Sequence, residues 1–155
     1  MKRYIDLVEA QRKDITEVMP WDLAELQQAQ GRELLLLDIR EPAEFACMHI
    51  EGSLNVPRGI LEASCEWDYE ETVPELVLAR QRKVVVICHS GFRSVLAANT
   101  MKQLGYEDAC SLKTGLRGWN DYEQPLINAK REAVDIERAD EYFTSHIRAE
   151  QRKPG

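Results

Sequence analysis

Two short stretches of the chain are apolar at nearly every position. They are LLLLDI, residues 34–39, and VVVI, residues 84–87. Continuous rather than alternating apolarity predicts strands that are buried on both faces, as in a parallel sheet covered by helices. Weaker strand patterns lie at 53–56 and 108–112, and 15–18 has the character of an edge strand. The sequence therefore predicts a sheet of about five strands.

Helical patterns separate these strands. Pro20 stands where a helix can begin, and Gly31 stands where the same helix can end. The predicted helices cover residues 3–12, 20–30, 42–47, 71–80, 94–104 and 116–122. Strands that alternate with helices predict an α/β fold, a three-layer sandwich with a mostly parallel central sheet flanked by helices.

The pattern divides the chain into a domain with two extensions. Residues 1–14 form an N-terminal helical extension, 15–127 form the α/β domain, and 128–155 form a charged amphipathic C-terminal helix. The apolar positions 136, 139, 143 and 147 of the last helix recur near helical spacing. These positions favour docking of the helix on the domain itself over docking on a partner protein. They are compatible with a monomer and with a homodimer.

Charge and composition exclude several classes of function. The formal net charge of -7 argues against nucleic-acid binding, which needs a basic face. No stretch approaches the about 20 apolar residues that would span a bilayer, and the N-terminus lacks the apolar run of a signal peptide, so a cytoplasmic protein without membrane contact is expected. The four cysteines contain no C-x-x-C spacing, which predicts free thiols and no metal site.

The segment ICHSGFRS, residues 87–94, carries the candidate chemistry. Cys88 follows the strongest predicted strand and precedes a helix, which places it at the carboxyl edge of the sheet, where ligands bind in such folds. A nest of backbone N–H groups from His89 to Arg93, the positive end of the helix and the Arg93 guanidinium would all stabilise a sulfur anion. Gly91 permits the positive φ that a tight loop needs. The alternative is that Cys88 is a small buried apolar residue.

CHSGFRS resembles the active-site loop of the rhodanese family of sulfurtransferases. LLLLDIREPAEFACMHIEGSLNVPRGIL is similar to the segment that precedes that loop in the family, and KTGLRGWNDYEQPL is similar to the segment that follows it. The resemblance covers about residues 15–126. It implies a single rhodanese-like domain in which Cys88 becomes a persulfide, with no metal or organic cofactor. The implied active-site loop consists of His89, Ser90, Gly91, Phe92, Arg93 and Ser94.

The resemblance also implies the partners. The donor is a small molecule such as thiosulfate or a persulfide, and the acceptor is cyanide, a thiol or a sulfur-accepting protein. Several thiosulfate-using members have a basic residue where this chain has His89, so both donors stay open. Arg40, Arg58 and Cys65 are candidates for the periphery of the pocket. Each has an ordinary alternative, in that an arginine can be solvated and Cys65 can be a bystander thiol.

Two other functions compete with sulfur transfer. Cysteine-dependent phosphatases and arsenate reductases also close a loop with arginine, but their loops are typically one residue longer than the four residues between Cys88 and Arg93. The third hypothesis is a sulfur-carrier or protein-interaction module that uses the same fold for assembly.

Overall fold

The computed structural model describes all 155 residues. The helices are α1 (Tyr4–Arg12), α2 (Pro20–Gln30), α3 (Pro42–Cys47), α4 (Leu61–Ser64), α5 (Pro74–Val77), α6 (Arg93–Gln103), α7 (Gly115–Asp121) and α8 (Ile136–Phe143). The strands are β1 (Glu17–Val18), β2 (Leu35–Asp38), β3 (Leu54–Asn55), β4 (Lys83–Ile87) and β5 (Asp108–Leu112). Short 3₁₀ turns cover Gly31–Glu33, Arg58–Ile60 and Ala149–Gln151. No helix combines the length and the apolar composition needed to cross a membrane.

The five strands form one sheet in the order β1-β5-β4-β2-β3, and every pair is parallel. The two continuous apolar stretches form β2 and β4, two of the three inner strands, and β2 is buried at all four positions. The predicted α/β fold with a parallel central sheet is therefore confirmed. Asp38 pairs with Ile87, so the segments that follow β2 and β4 leave the sheet side by side at its carboxyl edge.

Alternating side chains of the sheet pack into two separate apolar cores. Val84, Val86 and Cys88 belong to the core on the side of α6, whereas Val85 and Ile87 belong to the core on the side of α7 and α8. Helices thus cover both faces of the sheet, which is the predicted three-layer arrangement. Cys88 lies at the end of the first core, beneath α6.

The helix predicted at 71–80 is shorter in the structure, where it spans only Pro74–Val77. Pro74 lacks an N–H group and cannot stand inside a helix, so it occupies the first turn instead. Thr72 holds the preceding residues in a turn, because its hydroxyl accepts a hydrogen bond from the backbone of Tyr69 and donates one to the carbonyl of Glu66.

The C-terminal segment is also less helical than the pattern at 128–155 predicts. Its α-helix spans only Ile136–Phe143. Upstream, the Asn128 side chain accepts hydrogen bonds from the backbone of Lys130 and Glu132, which stabilises a turn that competes with helix. The helix ends because the backbone of Thr144 is extended.

The α8 helix docks on its own domain, as predicted. Ala139 and Phe143 are buried in the core that contains Trp119. Ile136 and Ile147 do not share this burial and are 40% and 51% exposed. Fewer of the apolar residues in the C-terminal segment are therefore buried than their spacing predicts.

Candidate active site

The Cys88 sulfur faces the start of α6. It accepts hydrogen bonds from the backbone N–H groups of Gly91 at 3.1 Å and Ser94 at 3.4 Å, and it lies 3.3 Å from the Ser94 hydroxyl. The sequence predicts a nest built from His89 to Arg93, whereas the two amides that reach the sulfur belong to Gly91 and Ser94. Backbone N–H groups at the positive end of a helix stabilise an anion. The Cys88 sulfur therefore lies where two backbone donors converge at the start of α6.

Gly91 gives the loop its tight curvature. Its φ is +90°, as its place in the loop predicts. A Cβ at this position would lie 2.8 Å from the backbone nitrogen of Thr114 and 3.2 Å from the carbonyl oxygen of Leu112. Only glycine fits here, because both the conformation and the space exclude a side chain.

The turn between β5 and α7 supports the loop from behind. The N–H groups of Leu116 and Arg117 donate to the carbonyl oxygens of Cys88 and His89 at 2.9 and 3.0 Å. Gly115 makes this approach feasible, since its Cβ position is only 2.5 Å from the carbonyl of His89. The glycine belongs to the motif KTGLRGWNDYEQPL, but its contact with the loop was not predicted.

A buried pair of hydroxyls lies under the sulfur. Ser94 Oγ and Ser111 Oγ are 2.7 Å apart, and both residues are fully buried. Sequence reasoning missed Ser111. The available signal was a polar residue inside the buried end of β5, because a buried hydroxyl needs a partner.

Arg93 forms a two-pronged ion pair with Glu44 of α3. The two hydrogen bonds measure 3.0 and 2.9 Å. Burial opposes ionisation of Glu44, but the hydrogen bond from Arg93, a backbone N–H of Glu41 and nearby guanidinium charges outweigh it, so its pKa lies below the ordinary value. The hydrogen bond to Glu44 likewise raises the pKa of Arg93. Of the two predicted roles of Arg93, the structure shows the bracing ion pair. Glu44 itself was not predicted.

His89 turns towards the C-terminal helix. Its ring lies 5.2 Å from the Phe143 ring and 6.3 Å from the Tyr142 ring, measured between centroids. Burial lowers the pKa of His89, and the charge of Arg93 lowers it further. Because an unperturbed histidine titrates near pH 6.5, His89 is neutral at pH 7.

Arg40 lies inside the protein and lines none of five surface cavities with volumes of about 260 to 570 Å³. It is fully buried, forms a two-pronged ion pair with Asp38 and donates to the carbonyl oxygen of Met48 at 2.7 Å. Its Nη1 has no hydrogen-bond partner. Arg40 therefore anchors the segment that follows β2, next to the Cys88 loop.

The other two peripheral candidates lie away from the sulfur. Arg58 donates to Glu62 at 2.9 Å and to Thr100 in the last part of α6 at 3.1 Å. Cys65 is fully buried beside Tyr106, which precedes β5 and so stands at the edge of the sheet opposite Cys88. Burial raises the pKa of the Cys65 thiol. We assign neither residue a role at the site.

The sulfur is shielded from solvent. Cys88 is only 1% exposed. Five surface cavities have volumes of about 260 to 570 Å³, and Cys88 lines none of these five. The largest of them lies around Arg32 and Arg82, near the amino ends of the central strands. The arrangement is a buried thiol surrounded by polar groups, and Cys88 does not line an open cleft among these five cavities.

Comparisons with known proteins agree with this geometry. The chain is similar to the "Probable adenylyltransferase/sulfurtransferase MoeZ" of Mycobacterium tuberculosis, with 32% identity over 61% of this chain and 22% of MoeZ. It is similar to the "Putative sulfur carrier protein YrkF" of Bacillus subtilis, with 34% identity over 56% of this chain and 41% of that protein. The chain thus spans less than half the length of these two relatives.

A solved structure from Rhodopseudomonas palustris shares the fold. It has a TM-score of 0.73 and 25% identity, and the match covers 81% of this chain and 94% of that one. It is described as a protein of unknown function and possible tyrosine phosphatase. The family model described as "Rhodanese-like domain" matches residues 22–122, well over half of the chain. Together with the parallel sheet and the Cys88 loop, this match shows that the chain belongs to the rhodanese-like family.

Proposed function

We propose that the protein is a sulfurtransferase that carries sulfane sulfur on Cys88. The Cys88 thiolate attacks the outer sulfur of a donor, the bond from that sulfur to the rest of the donor breaks, and its electron pair leaves with sulfite or a thiolate. The outer sulfur of the resulting Cys88 persulfide is then attacked by cyanide or a thiol, and the electron pair of the broken S–S bond returns to Cys88. Each step forms one bond to sulfur and breaks another without net oxidation or reduction, so no cofactor is needed.

The observation that carries the proposal is the pair of backbone N–H groups that meet at the Cys88 sulfur. Gly91 and Ser94 supply them at 3.1 and 3.4 Å, at the start of α6. Fixed donors of this kind stabilise a thiolate before and after transfer without reorganisation. The N–H groups of Ser90 and Phe92 form no hydrogen bond within the protein and are available to the outer sulfur of the persulfide.

The charges around the loop favour a persulfide donor over thiosulfate. Arg93 forms an ion pair with Glu44, and His89 is neutral at pH 7. Neither residue therefore offers an unpaired positive charge to the doubly negative thiosulfate ion. A persulfide carries one negative charge fewer and depends less on such a charge.

The donor preference should change with pH through His89. Because burial and the charge of Arg93 lower its pKa, His89 gains a proton only at a more acidic pH than an ordinary histidine, and the new positive charge then lies one residue from Cys88. We expect the ratio of kcat/KM for thiosulfate to that for glutathione persulfide to rise about three- to tenfold between pH 7 and pH 5. Parallel assays with His89→Gln isolate the effect from titration of the donors, and an equal rise in that variant would remove His89 as the cause.

A phosphatase is the second candidate, because a structural relative is described as a possible tyrosine phosphatase. The loop of this chain has four residues between Cys88 and Arg93, and the guanidinium is held by Glu44. A phosphate oxyanion needs more room and a free arginine. Both features favour a single sulfur atom over a phosphate group as the group that the loop binds.

One experiment separates the two functions. The protein is assayed with thiosulfate or glutathione persulfide plus cyanide, and in parallel with a chromogenic phosphomonoester. Thiocyanate formation that is lost in Cys88→Ser supports sulfur transfer. Phosphate release without thiocyanate would replace the sulfurtransferase by a phosphatase.

The acceptor can be a protein as well as a small molecule. One relative is named a sulfur carrier and another combines adenylyltransferase and sulfurtransferase in its name. The carrier function uses the same Cys88 persulfide and differs only in the final acceptor. All four cysteines are free, which fits the reducing cytoplasm proposed for this chemistry.

A further inference from the structure

The N-terminal helix α1 packs over the helix that begins at the active-site loop. Val8 of α1 is fully buried in the core that contains Cys88. The Asn99 side chain of α6 donates to Gln11 at 3.0 Å, and Lys102 donates to the carbonyl oxygen of Asp14 at 3.0 Å. These contacts fix α1 against α6 along most of its length.

The first residue of α1 reaches the loop itself. The Tyr4 ring meets the Phe92 ring edge to face, with centroids 5.8 Å apart and planes at 85°. The Arg12 guanidinium lies 5.7 Å from the centroid of the same Phe92 ring. Phe92 is therefore held between the two ends of α1, and α1 forms a roof over the loop.

We propose that Tyr4 is a specificity-determining residue of the Cys88 site, whose ring screens the sulfur from bulky reagents. This screen explains why Cys88 is only 1% exposed although it follows a strand at the carboxyl edge of the sheet. Its consequence for sulfur transfer rests on the proposed function. The acceptor class that fits beneath the roof is a small thiol or cyanide, whereas a folded protein needs α1 to move.

Tyr4 lies at the surface of this roof. It is 50% exposed, so one side of the residue borders solvent while its ring packs on Phe92 of the loop. Tyr4 is therefore not a residue of the deep core.

Two variants separate the ring from the hydroxyl. Tyr4→Ala removes both, and Tyr4→Phe removes only the hydroxyl. The measurement is the alkylation rate of Cys88 by iodoacetamide and by fluorescein maleimide, in a Cys47→Ser background because Cys47 is exposed. We expect Tyr4→Ala to raise the maleimide rate about tenfold or more and the iodoacetamide rate much less, and Tyr4→Phe to change neither. Tyr69→Ala removes an exposed tyrosine elsewhere and serves as the control.

An unchanged maleimide rate in Tyr4→Ala, or an equal rise in Tyr4→Phe, would overturn the screening role of the ring. Alkylation needs no sulfur donor, so a wild-type protein that shows the predicted protection but never takes up sulfur would refute the proposed function alone.

Discussion

Gly115→Ala should lower sulfur transfer by at least about 100-fold while the rest of the fold persists. A Cβ at position 115 would lie 2.5 Å from the carbonyl carbon and oxygen of His89 and 2.6 Å from the carbonyl oxygen of Cys88. All three atoms are backbone, so relief requires the active-site loop itself to shift. The φ of +61° adds a smaller cost, because other residues reach the left-handed region at about 1–2 kcal/mol. The measurement is thiocyanate formation together with circular dichroism.

Gly59→Ala is the matched control for this substitution. No atom lies within 4 Å of its Cβ position, and its φ is not positive. We expect the activity of Gly59→Ala to equal that of the wild type. A fully active Gly115→Ala protein would show that the turn between β5 and α7 does not hold the loop.

The second large effect concerns stability. Asp38→Asn should lower the free energy of unfolding by about 3–5 kcal/mol, because it leaves the guanidinium of Arg40 buried without its counter-charge. Arg40 is fully buried, its Nη1 already lacks a hydrogen-bond partner, and Asp38 is its one ion-pair partner. The loop that contains Cys88 lies beside this pair, since Asp38 pairs with Ile87.

Urea unfolding measures this loss directly. The double variant Asp38→Asn/Arg40→Met removes both charges and should recover much of the stability. Asp6→Asn breaks an ion pair with Arg3 on the surface and should change the midpoint little. A similar small change in Asp38→Asn would contradict the view that the buried pair anchors this edge of the sheet.

Local patterns in the sequence predict those parts of the fold that depend on neighbours in the chain. The inner strands β2 and β4 are apolar at nearly every position because both faces of the sheet are covered, and that property is visible in LLLLDI and VVVI. Gly91 could be assigned its positive φ because a short loop between a strand and a helix requires one. The prediction of a helix at 71–80 was wrong, because Pro74 and the turn held by Thr72 prevent the helix from beginning at residue 71.

The rest of the site depends on contacts between distant segments. Glu44 meets Arg93 across 49 positions, and nothing around Glu44 distinguishes it from other surface acids. Gly115 contacts His89 only because β4 and β5 are adjacent in the sheet. Tyr4 lies outside the segment that resembles the family and reaches Phe92 through the packing of α1 on α6. Sequence alone therefore indicates Cys88 as the proposed nucleophile and does not indicate the residues that brace and cover it.

The most direct test is the intact mass of the protein after incubation with glutathione persulfide or thiosulfate and removal of the donor. We predict that the wild-type chain gains the mass of one sulfur atom, that cyanide removes it with formation of thiocyanate, and that Cys88→Ser gains nothing. An unmodified wild-type chain, or an equal gain in Cys88→Ser, would contradict a persulfide on Cys88.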